Sequence, residues 1–336
     1  MKAVGYHACL PINAYNALED LVLPTPVPGA RDLLVRVHAV SVNPVDVKIR
    51  AGRAPAAGEA AVIGWDAVGV VESVGAAVTG FEVGERVYYA GALDRPGSNS
   101  ELHLVDERIV ARAPASLDDA AAAALPLTAI TAWELLFDRL RIPMGGGSGQ
   151  TLLIIGGAGG VGSILIQLAR QLTQLRVVAT ASRQVTRQWC LDLGAHAVID
   201  HRIPLTQALA AAGIDQVDAV ASLTQTTTHY AQIIECLRPQ GQLAVIDDPA
   251  TLDATKLKLK SISLHWELMF TRSLFQTPDM DQQGKLLADV AALVDAGRIR
   301  STVHDNFGVI NAANLRRAHA FIESGTAQGK VVLAGF

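Results

Sequence analysis

The stretch TLLIIGGAGGVGSILIQLAR, residues 151–170, decides the fold prediction. It runs from an apolar strand pattern, through Gly157, Gly159 and Gly162 in G-x-G-x-x-G spacing, into a segment of helical period. That glycine spacing is weak evidence alone, but directly after a strand and at the start of a helix it indicates a dinucleotide site. The first glycine permits a tight turn, the second lets backbone approach a pyrophosphate, and the third lets the helix pack on its strand.

The pyrophosphate is expected at the start of this helix, on the free backbone N–H groups of Gly160, Val161 and Gly162. The alternative is a glycine-rich turn that binds no ligand. The rest of the segment bears on that choice, because a dinucleotide site needs further strands beside the first.

Apolar runs and helical segments alternate along residues 151–270, which predicts a doubly wound parallel sheet of Rossmann type. Short apolar runs bounded by turn residues are typical of strands buried on both faces. The predicted strands are TLLIIG (151–156), RVVATAS (176–182), AVIDH (197–201), VDAVASL (217–223), QLAVIDD (242–248) and SISLHWELM (261–269).

The chain outside this region has a different pattern. The first 120 residues carry short β-branched runs cut by Gly, Pro and Asp, which predicts a mostly β domain. The last segment has two amphipathic helices and one strand, too little apolar surface to fold alone. We therefore predict a β catalytic domain over 1–125, a Rossmann domain over 126–270, and a segment over 271–336 that completes the first domain.

Composition excludes several classes of protein. At 336 residues two domains are expected, and a net charge of −4 gives no electrostatic footprint for nucleic acid or an anionic membrane. We find neither a secretory signal nor an apolar run long enough for a membrane span, so the cytoplasm is the expected location. Three scattered cysteines suggest neither a disulfide framework nor a metal knuckle.

The end of the second predicted strand favours NADP(H) over NAD(H). An NAD site usually has an acid there to hold the ribose 2′-hydroxyl, whereas this chain has Ser182 and Arg183, with Arg187 on the next turn. A guanidinium offers a charge-assisted fork to a 2′-phosphate. One of the two arginines is instead expected to be an ordinary solvated helix charge.

Together these residues resemble the medium-chain dehydrogenase/reductases, in particular the zinc-lacking quinone oxidoreductase branch and a subgroup often labelled zinc-type alcohol dehydrogenase-like. The match covers essentially the whole chain. It rests on NPVDVK (43–48), GWDAVGVVESVG (64–75), FEVGERVY (81–88), AAALPLTAITAWELL (122–136), IIGGAGGVG (154–162) and LGAHAVIDH (193–201).

The resemblance implies a barrel-like, GroES-like first domain and several cofactor contacts. It implies that Thr128 lies against the nicotinamide, that the loop from Ser222 to Thr224, with Leu223 and Thr224, covers the cofactor ribose, and that His201 flanks the adenine end. It also implies a homodimer that pairs the last strands of two nucleotide sheets, through residues 261–269.

The same resemblance bears on metal binding. Zinc alcohol dehydrogenases of this family use two Cys and one His as ligands of the catalytic metal. The corresponding positions here hold Asn43, Trp65 and the segment around Pro126, none of which forms a normal zinc bond. We therefore predict no zinc.

Without a metal, hydrogen-bond donors must stabilise the charge that develops on a substrate oxygen. The candidates are the amide of Asn43 and the ammonium of Lys48. The alternatives are that Asn43 caps a turn ahead of Pro44 and that Lys48 faces solvent. Asp46 and Asp66 are expected to accept hydrogen bonds that fix the walls of the site. Trp65 offers an aromatic face to a planar quinone or belongs to the core.

The predicted function is an NADPH-dependent, metal-independent reductase of quinones or α,β-unsaturated carbonyls. One alternative is a zinc-type alcohol dehydrogenase with unrecognised ligands. An alternative of another class is a non-catalytic nucleotide-binding protein, structural or associated with RNA.

Overall fold

The computed structural model describes all residues, 1–336, and divides the chain into two compact units. The first unit combines Met1–Ile130 with Phe270–Phe336, and the second is Thr131–Met269. In chain order the strands are β1 (Lys2–Tyr6), β2 (Glu19–Val22), β3 (Asp32–Val42), β4 (Ala61–Val62), β5 (Ala67–Val74), β6 (Arg86–Tyr89), β7 (Leu102–Asp106), β8 (Val110–Arg112), β9 (Thr151–Ile155), β10 (Arg176–Thr180), β11 (Ala197–Ile199), β12 (Val217–Ser222), β13 (Leu237–Val245), β14 (Ser263–Trp266), β15 (Val303–Asn306) and β16 (Lys330–Ala334).

The helices complete the list of elements, and several start at a recognisable cap. The Asp118 side chain accepts the N–H of Ala121, and the Asn311 side chain accepts that of Asn314. The α-helices are α1 (Pro44–Gly52), α2 (Asp119–Ala123), α3 (Pro126–Trp133), α4 (Gly160–Leu172), α5 (Gln184–Asp192), α6 (Leu205–Ala211), α7 (Thr226–Cys236), α8 (Thr271–Leu274), α9 (Gln282–Asp295) and α10 (Ala312–Glu323). Glu107–Ile109 and Ala254–Lys260 are 3-10 turns, and Glu134–Arg139 is π-helical.

The second unit is built on a six-stranded sheet in the order β11-β10-β9-β12-β13-β14, with every pair parallel. The strand order reverses between β9 and β12, which is where open α/β sheets bind ligands. β9 is buried along its whole length, as expected of a strand covered on both faces. The predicted Rossmann sheet is confirmed, and all six predicted strands are present.

The first unit is mostly β. A seven-stranded sheet runs β15-β16-β3-β5-β6-β8, with β7 also paired to β3, and β2-β1-β4 form a second sheet. β3 is the centre of this unit, because it pairs antiparallel with β5, β7 and β16. The GroES-like prediction for this part of the chain is confirmed.

One helix ends earlier than its sequence predicts. The pattern from Thr228 to Pro239 indicates a helix, but α7 stops at Cys236 and β13 begins at the next residue. Pro239 lacks an N–H and cannot continue a helix, so the last residues of the pattern adopt extended backbone as the strand begins.

One apolar stretch corrects the expectation that no segment reaches the length of a membrane span. Residues 119–139 form a helical run long and apolar enough by length and composition, but 78% of its apolar window is buried inside the protein. Helices in the core of a protein can be equally long and apolar, and the burial of this run is typical of a core helix.

Strand β14 lies at the edge of the parallel sheet. It pairs with β13 through Gln242–Val245, and Trp266 at its end is 53% exposed. An apolar sheet edge of this kind can pair with another chain. The homodimer through residues 261–269 stays a prediction.

Candidate active site

The turn after β9 shows how the glycine-rich segment is built. Gly156 has a φ of +85°, in the left-handed region, and its N–H donates to Oγ1 of Thr180 at 2.9 Å. The left-handed residue of the turn is therefore Gly156, one position before the motif to which the sequence pattern attributes it. A side chain at Gly156 would also meet Thr224, since its Cβ would lie 2.9 Å from Cγ2 of that residue.

The three motif glycines differ in the space around them. A Cβ on Gly157 would lie 2.6 Å from Cβ of Ala179 in β10, and one on Gly162 would lie 2.4 Å from the carbonyl oxygen of Gly156. At Gly159 the nearest atom would be 3.5 Å away. The first and third positions are closed by the protein itself, while the second is open to an approaching ligand, as the pattern predicts.

The start of α4 has the features of an anion site. Its N-cap is Gly159, which has no side chain to accept the N–H groups of the first turn. Gly160 and Val161 are half-buried, and Gly162 is buried. A helix N-terminus with unsatisfied N–H groups and the positive end of the helix dipole fits a pyrophosphate.

The end of β10 carries the predicted 2′-phosphate residues. Ser182 is half-buried, and Arg183 is exposed at the N-cap of α5. Arg187, half-buried on the next turn, donates from Nη1 to the carbonyl oxygen of Ala181 at 3.4 Å. The backbone contact draws Arg187 toward the protein and leaves Arg183 as the more accessible of the two guanidiniums.

Sequence reasoning missed two charged residues beside Ser182. Arg202, which follows β11, donates from Nη2 to the Ser182 carbonyl oxygen at 3.1 Å and to Asp200 at 2.6 Å. The side-chain and backbone hydrogen bonds from Arg202 to Asp200 lower the pKa of that carboxyl to about 2. The fold thus brings an acid and the arginine that pairs with it close to Ser182, at the end of β10. No pattern along the chain signals the pair, because strand β11 separates it from β10 in sequence.

The end of β12 forms the other side of the strand-order reversal. Leu223 donates its N–H to the Ile155 carbonyl oxygen at 3.2 Å, and Thr224 is exposed. Below them Ser222 and Thr226 share a hydrogen bond of 2.7 Å, and Asp247 accepts the Thr226 N–H at 2.9 Å. This network holds the loop that carries Leu223 and Thr224 against the glycine turn.

His201 lies farther along the same edge of the sheet. Its ring is 6.1 Å from that of His229, centroid to centroid, at 72°. Burial and the neighbouring His201 lower the pKa of His229. The predicted aromatic position is therefore part of an edge-to-face pair of imidazoles.

The predicted reduction site lies in the first unit, where it forms a buried polar cluster that we call the Lys330 cluster: Asn43, Asp46, Asp66 and Lys330. Asp66 accepts the N–H of Leu127 at 2.8 Å through Oδ1, and through Oδ2 it accepts Nδ2 of Asn43 at 2.8 Å and Nζ of Lys330 at 2.9 Å. None of the four residues is more than 3% exposed. Lys330 was missed because it stands 287 residues from Asn43, at the start of β16.

The two carboxyls of the cluster have different surroundings. Burial raises the pKa of both, and it raises that of Asp46 to about 7. Asp66 accepts three donors, whereas Asp46 accepts the Asn43 N–H at 2.6 Å through Oδ2 while its Oδ1 has no partner. Hydrogen bonds to a carboxylate favour its charged form, so Asp66 is the better stabilised anion of the two.

The geometry corrects the role predicted for Asn43. Both of its amide hydrogens are donated inside the protein, to Asp66 Oδ2 and to the Ser41 carbonyl oxygen, and its Oδ1 accepts Lys330. With 1% exposure it has no hydrogen left for a substrate oxygen.

The other predicted catalytic residues divide between core and surface. Trp65 is 2% exposed, donates Nε1–H to the Ala92 carbonyl oxygen at 3.0 Å and packs edge-on to Phe270, so it belongs to the core. Its indole face is not available to a quinone. Lys48 is exposed on α1, outside the Lys330 cluster.

Thr128 is tied to the same cluster by its position in the chain. It follows Leu127, whose N–H is held by Asp66, and its Oγ1 donates to the Leu125 carbonyl oxygen at 3.1 Å. The first turn of α3 is thus fixed by a carboxylate at its N-terminus, the end at which a negative charge is stabilising.

Comparison with known proteins decides the family. Residues 29–115 match the model of the alcohol dehydrogenase GroES-like domain, and residues 193–333 match that of zinc-binding dehydrogenases. A zinc-type alcohol dehydrogenase-like protein of Staphylococcus aureus is 38% identical over 336 residues, covering 99% of each chain. The chain belongs to the medium-chain dehydrogenase/reductase superfamily.

The chain is also similar to two enzymes that are named for the reduction of an enone and of a quinone. The 2-methylene-furan-3-one reductase of Solanum lycopersicum is 30% identical, covering 99% of this chain and 79% of that one. A quinone oxidoreductase of Pseudomonas aeruginosa is 31% identical, covering 91% and 92%. These similarities support an oxidoreductase of the superfamily.

Two solved structures are similar to this protein over essentially its whole length. A Rhizobium etli protein, named provisionally as a zinc-dependent alcohol dehydrogenase, is 54% identical with a TM-score of 0.96, covering 100% of this chain and 98% of that one. A mycobacterial protein solved in complex with NADPH is 27% identical with a TM-score of 0.85, covering 99% and 100%. A nicotinamide cofactor is thus supported for the superfamily fold.

Several of these relatives are named for zinc, but the side chains of this protein do not form a zinc site. At the positions that resemble ligand positions, Oδ1 of Asn43 accepts the Lys330 ammonium and Nε1–H of Trp65 is donated to the Ala92 carbonyl oxygen. Neither an amide bound to a lysine nor an indole is a normal zinc ligand. An ammonium 2.9 Å from the carboxylate of Asp66 would also repel a divalent cation there. The residues present do not fit a catalytic zinc.

Proposed function

We propose that this protein is an NADPH-dependent, metal-independent reductase of quinones or α,β-unsaturated carbonyls. The observation that carries the proposal is the Lys330 cluster, in which the Asn43 side chain, at a position that resembles a metal-ligand position, has all its hydrogen-bonding capacity used by Asp66, Lys330 and the Ser41 carbonyl oxygen. A reductase without a Lewis acid is best suited to acceptors that delocalise negative charge themselves. Quinones and conjugated enones are such acceptors, whereas simple ketones are not.

Most of the proposed cofactor contacts lie at the ends of the strands of the parallel sheet. When bound, NADPH supplies the hydride. The N–H groups of Gly160, Val161 and Gly162 bind its pyrophosphate, and open space at Gly159 admits it. Leu223 and Thr224 cover a ribose. These assignments, with His201 at the adenine end and Thr128 at the nicotinamide, complete the proposed binding mode.

The preference for NADPH rests on charge at the end of β10. Ser182 and Arg183 stand where an NAD site has an acid, and the one nearby acid, Asp200, is held by Arg202. The Arg183 guanidinium is the group that we propose to bind the 2′-phosphate, and the ion pair between Asp200 and Arg202 reduces the repulsion that a carboxylate would exert on it.

Lys48 is the proposed donor to the developing oxyanion. It is exposed on α1, whereas Asn43, five residues earlier, is buried with all its amide groups hydrogen-bonded. An accessible ammonium can stabilise an enolate or a hydroquinone anion and donate a proton to it. Asn43 then acts only by holding Asp66 and Lys330 in place.

The decisive experiment is an NADPH-oxidation screen of the purified protein over quinones, enones, aldehydes and simple ketones, repeated with NADH. We expect turnover of quinones or enones with NADPH that is unchanged by a chelator and without stoichiometric zinc. Activity on simple alcohols or ketones that disappears with chelation would establish the zinc-type alternative. Tight NADPH binding without turnover on any acceptor would favour a non-catalytic protein.

We expect Arg183→Ala to weaken NADPH binding by about 10- to 100-fold, since a hydrogen bond to a charged group contributes roughly 1.5–3 kcal/mol. NADH binding should change by less than about twofold, because NADH has no 2′-phosphate. The measurement is a fluorescence titration of both cofactors. Arg238→Ala is the matched control, since Arg238 lies at the opposite end of the sheet and pairs with Asp218. Equal losses for NADPH and NADH would contradict the assignment.

A further inference from the structure

Lys330 is an unusual residue for a strand in the core. It opens β16, is 3% exposed, and its neighbours along the strand are the buried Val331 and Val332. Lysine is almost never buried to this degree unless it is paired. Its burial therefore requires a specific set of partners.

Those partners match the lysine atom by atom. An ammonium has three hydrogens, and Nζ of Lys330 has three acceptors: Asn43 Oδ1, Asp66 Oδ2 at 2.9 Å and the Val42 carbonyl oxygen at 3.4 Å. The group is thus fully satisfied inside the protein and is not presented to a substrate.

The ammonium acts on the rest of the unit through Asp66. One oxygen of that carboxylate binds Lys330 and Asn43, and the other accepts the Leu127 N–H at the start of α3. Burial disfavours a carboxylate without a counter-ion. Removal of the ammonium would therefore remove the charge that keeps Asp66 ionised as the acceptor for Leu127.

We propose that Lys330 is a positioning residue for hydride transfer, a fixed internal cation that holds Asp66 and, through Asp66, the first turn of α3 with Thr128. This inference rests on the proposed function, in which Thr128 lies at the nicotinamide.

The test is Lys330→Met, which keeps the length and apolar stem of the side chain but removes its charge. We expect amide exchange in residues 125–130 to accelerate at least tenfold, kcat to fall about 100-fold, and KM for NADPH to stay within about threefold. Lys285→Met is the control, an exposed lysine of the same unit paired with Asp281, and it should change none of the three.

A double-variant comparison separates this role from general stability. If Lys330 acts through Asp66, then Lys330→Met combined with Asp66→Asn should lose no more kcat and no more amide protection than Asp66→Asn alone. If the single Lys330 variant does not fold, the double variant takes its place, because it leaves neither charge unpaired, and it should show the same accelerated exchange in residues 125–130 relative to the wild type. A further loss in the double variant, or normal exchange and kcat in Lys330→Met, would overturn the proposal.

The exchange readout also keeps this inference distinct from the proposed function. A wild-type protein without turnover on any acceptor would refute the reductase. Accelerated exchange at 125–130 in Lys330→Met would still support the positioning of α3, and unchanged exchange would refute it.

Discussion

Gly162→Ala is expected to reduce NADPH affinity by at least about 100-fold. The added Cβ would lie 2.4 Å from the Gly156 carbonyl oxygen and 2.6 Å from that of Gly157. Both are backbone atoms, so relief requires the whole turn and the start of α4 to move apart. That movement displaces the N–H groups proposed to bind the pyrophosphate. Overpacking of this kind also costs roughly 1–3 kcal/mol of folding stability.

Two matched glycine variants show whether the loss is specific. Gly159→Ala places its Cβ 3.5 Å from the nearest atom, so it should fold as the wild type yet hinder the approach of the pyrophosphate. Gly52→Ala meets nothing within 4 Å and should affect neither property. Thermal unfolding measures the folding stability of each variant, and a fluorescence titration measures its affinity for NADPH. Wild-type affinity in Gly162→Ala would contradict the cofactor assignment.

Asp66→Asn is expected to lower the free energy of unfolding by about 3–5 kcal/mol, the usual cost of breaking a buried ion pair by removing one partner. The substitution leaves the Lys330 ammonium, 3% exposed, without a negative charge beside it. It also replaces the charged carboxylate oxygen that accepts the Leu127 N–H by an uncharged amide, which is a weaker acceptor. Urea unfolding near pH 6 measures the loss.

Asp46→Asn is the control for that variant, because it removes the other carboxyl of the cluster. The pKa of Asp46 is raised from 3.8 to about 7, so between those values the folded chain holds a proton that the unfolded chain has released. Wild-type stability should therefore fall as pH rises from about 4 to 7, by up to about 4 kcal/mol from this group. Asp46→Asn should lack this contribution and lose little stability at pH 6. Equal losses of unfolding free energy in Asp66→Asn and Asp46→Asn at pH 6 would contradict the prediction that only the Asp66 carboxyl stabilises the fold as an anion.

The parts of the fold that are local in sequence could be predicted closely. The run from Thr151 to Arg170 predicted a strand, a glycine turn and a helix, and β9 and α4 lie there. Strand and helix periods depend on which faces of one segment are apolar, so neighbouring residues contain the needed information. The tight turn was assigned to Gly157, whereas the residue with the positive φ is Gly156, because the motif does not show which glycine of a pair adopts that conformation.

The residues of the Lys330 cluster show where such prediction ends. NPVDVK indicated Asn43 and Lys48 as donors, but whether an amide is free depends on what other segments place beside it. The bond from Lys330 to Asn43 spans 287 residues, and that from Lys330 to Asp66 spans 264. Arg202 and Asp200 near Ser182 are a shorter case of the same kind.

By itself, the sequence determined the parallel sheet, the glycine turn at the start of α4 and the superfamily, because periodic burial and turn chemistry are properties of contiguous residues. Only the tertiary structure decided which polar groups are buried and with what partners. Burial makes an unpaired charge costly, so the chemistry available to Asn43, Asp66 and Lys330 follows from the contacts that pack β3, β5 and β16 together. Those contacts place the predicted donor Asn43 in a closed cluster around the Asp66–Lys330 ion pair, whereas Lys48 is exposed on α1.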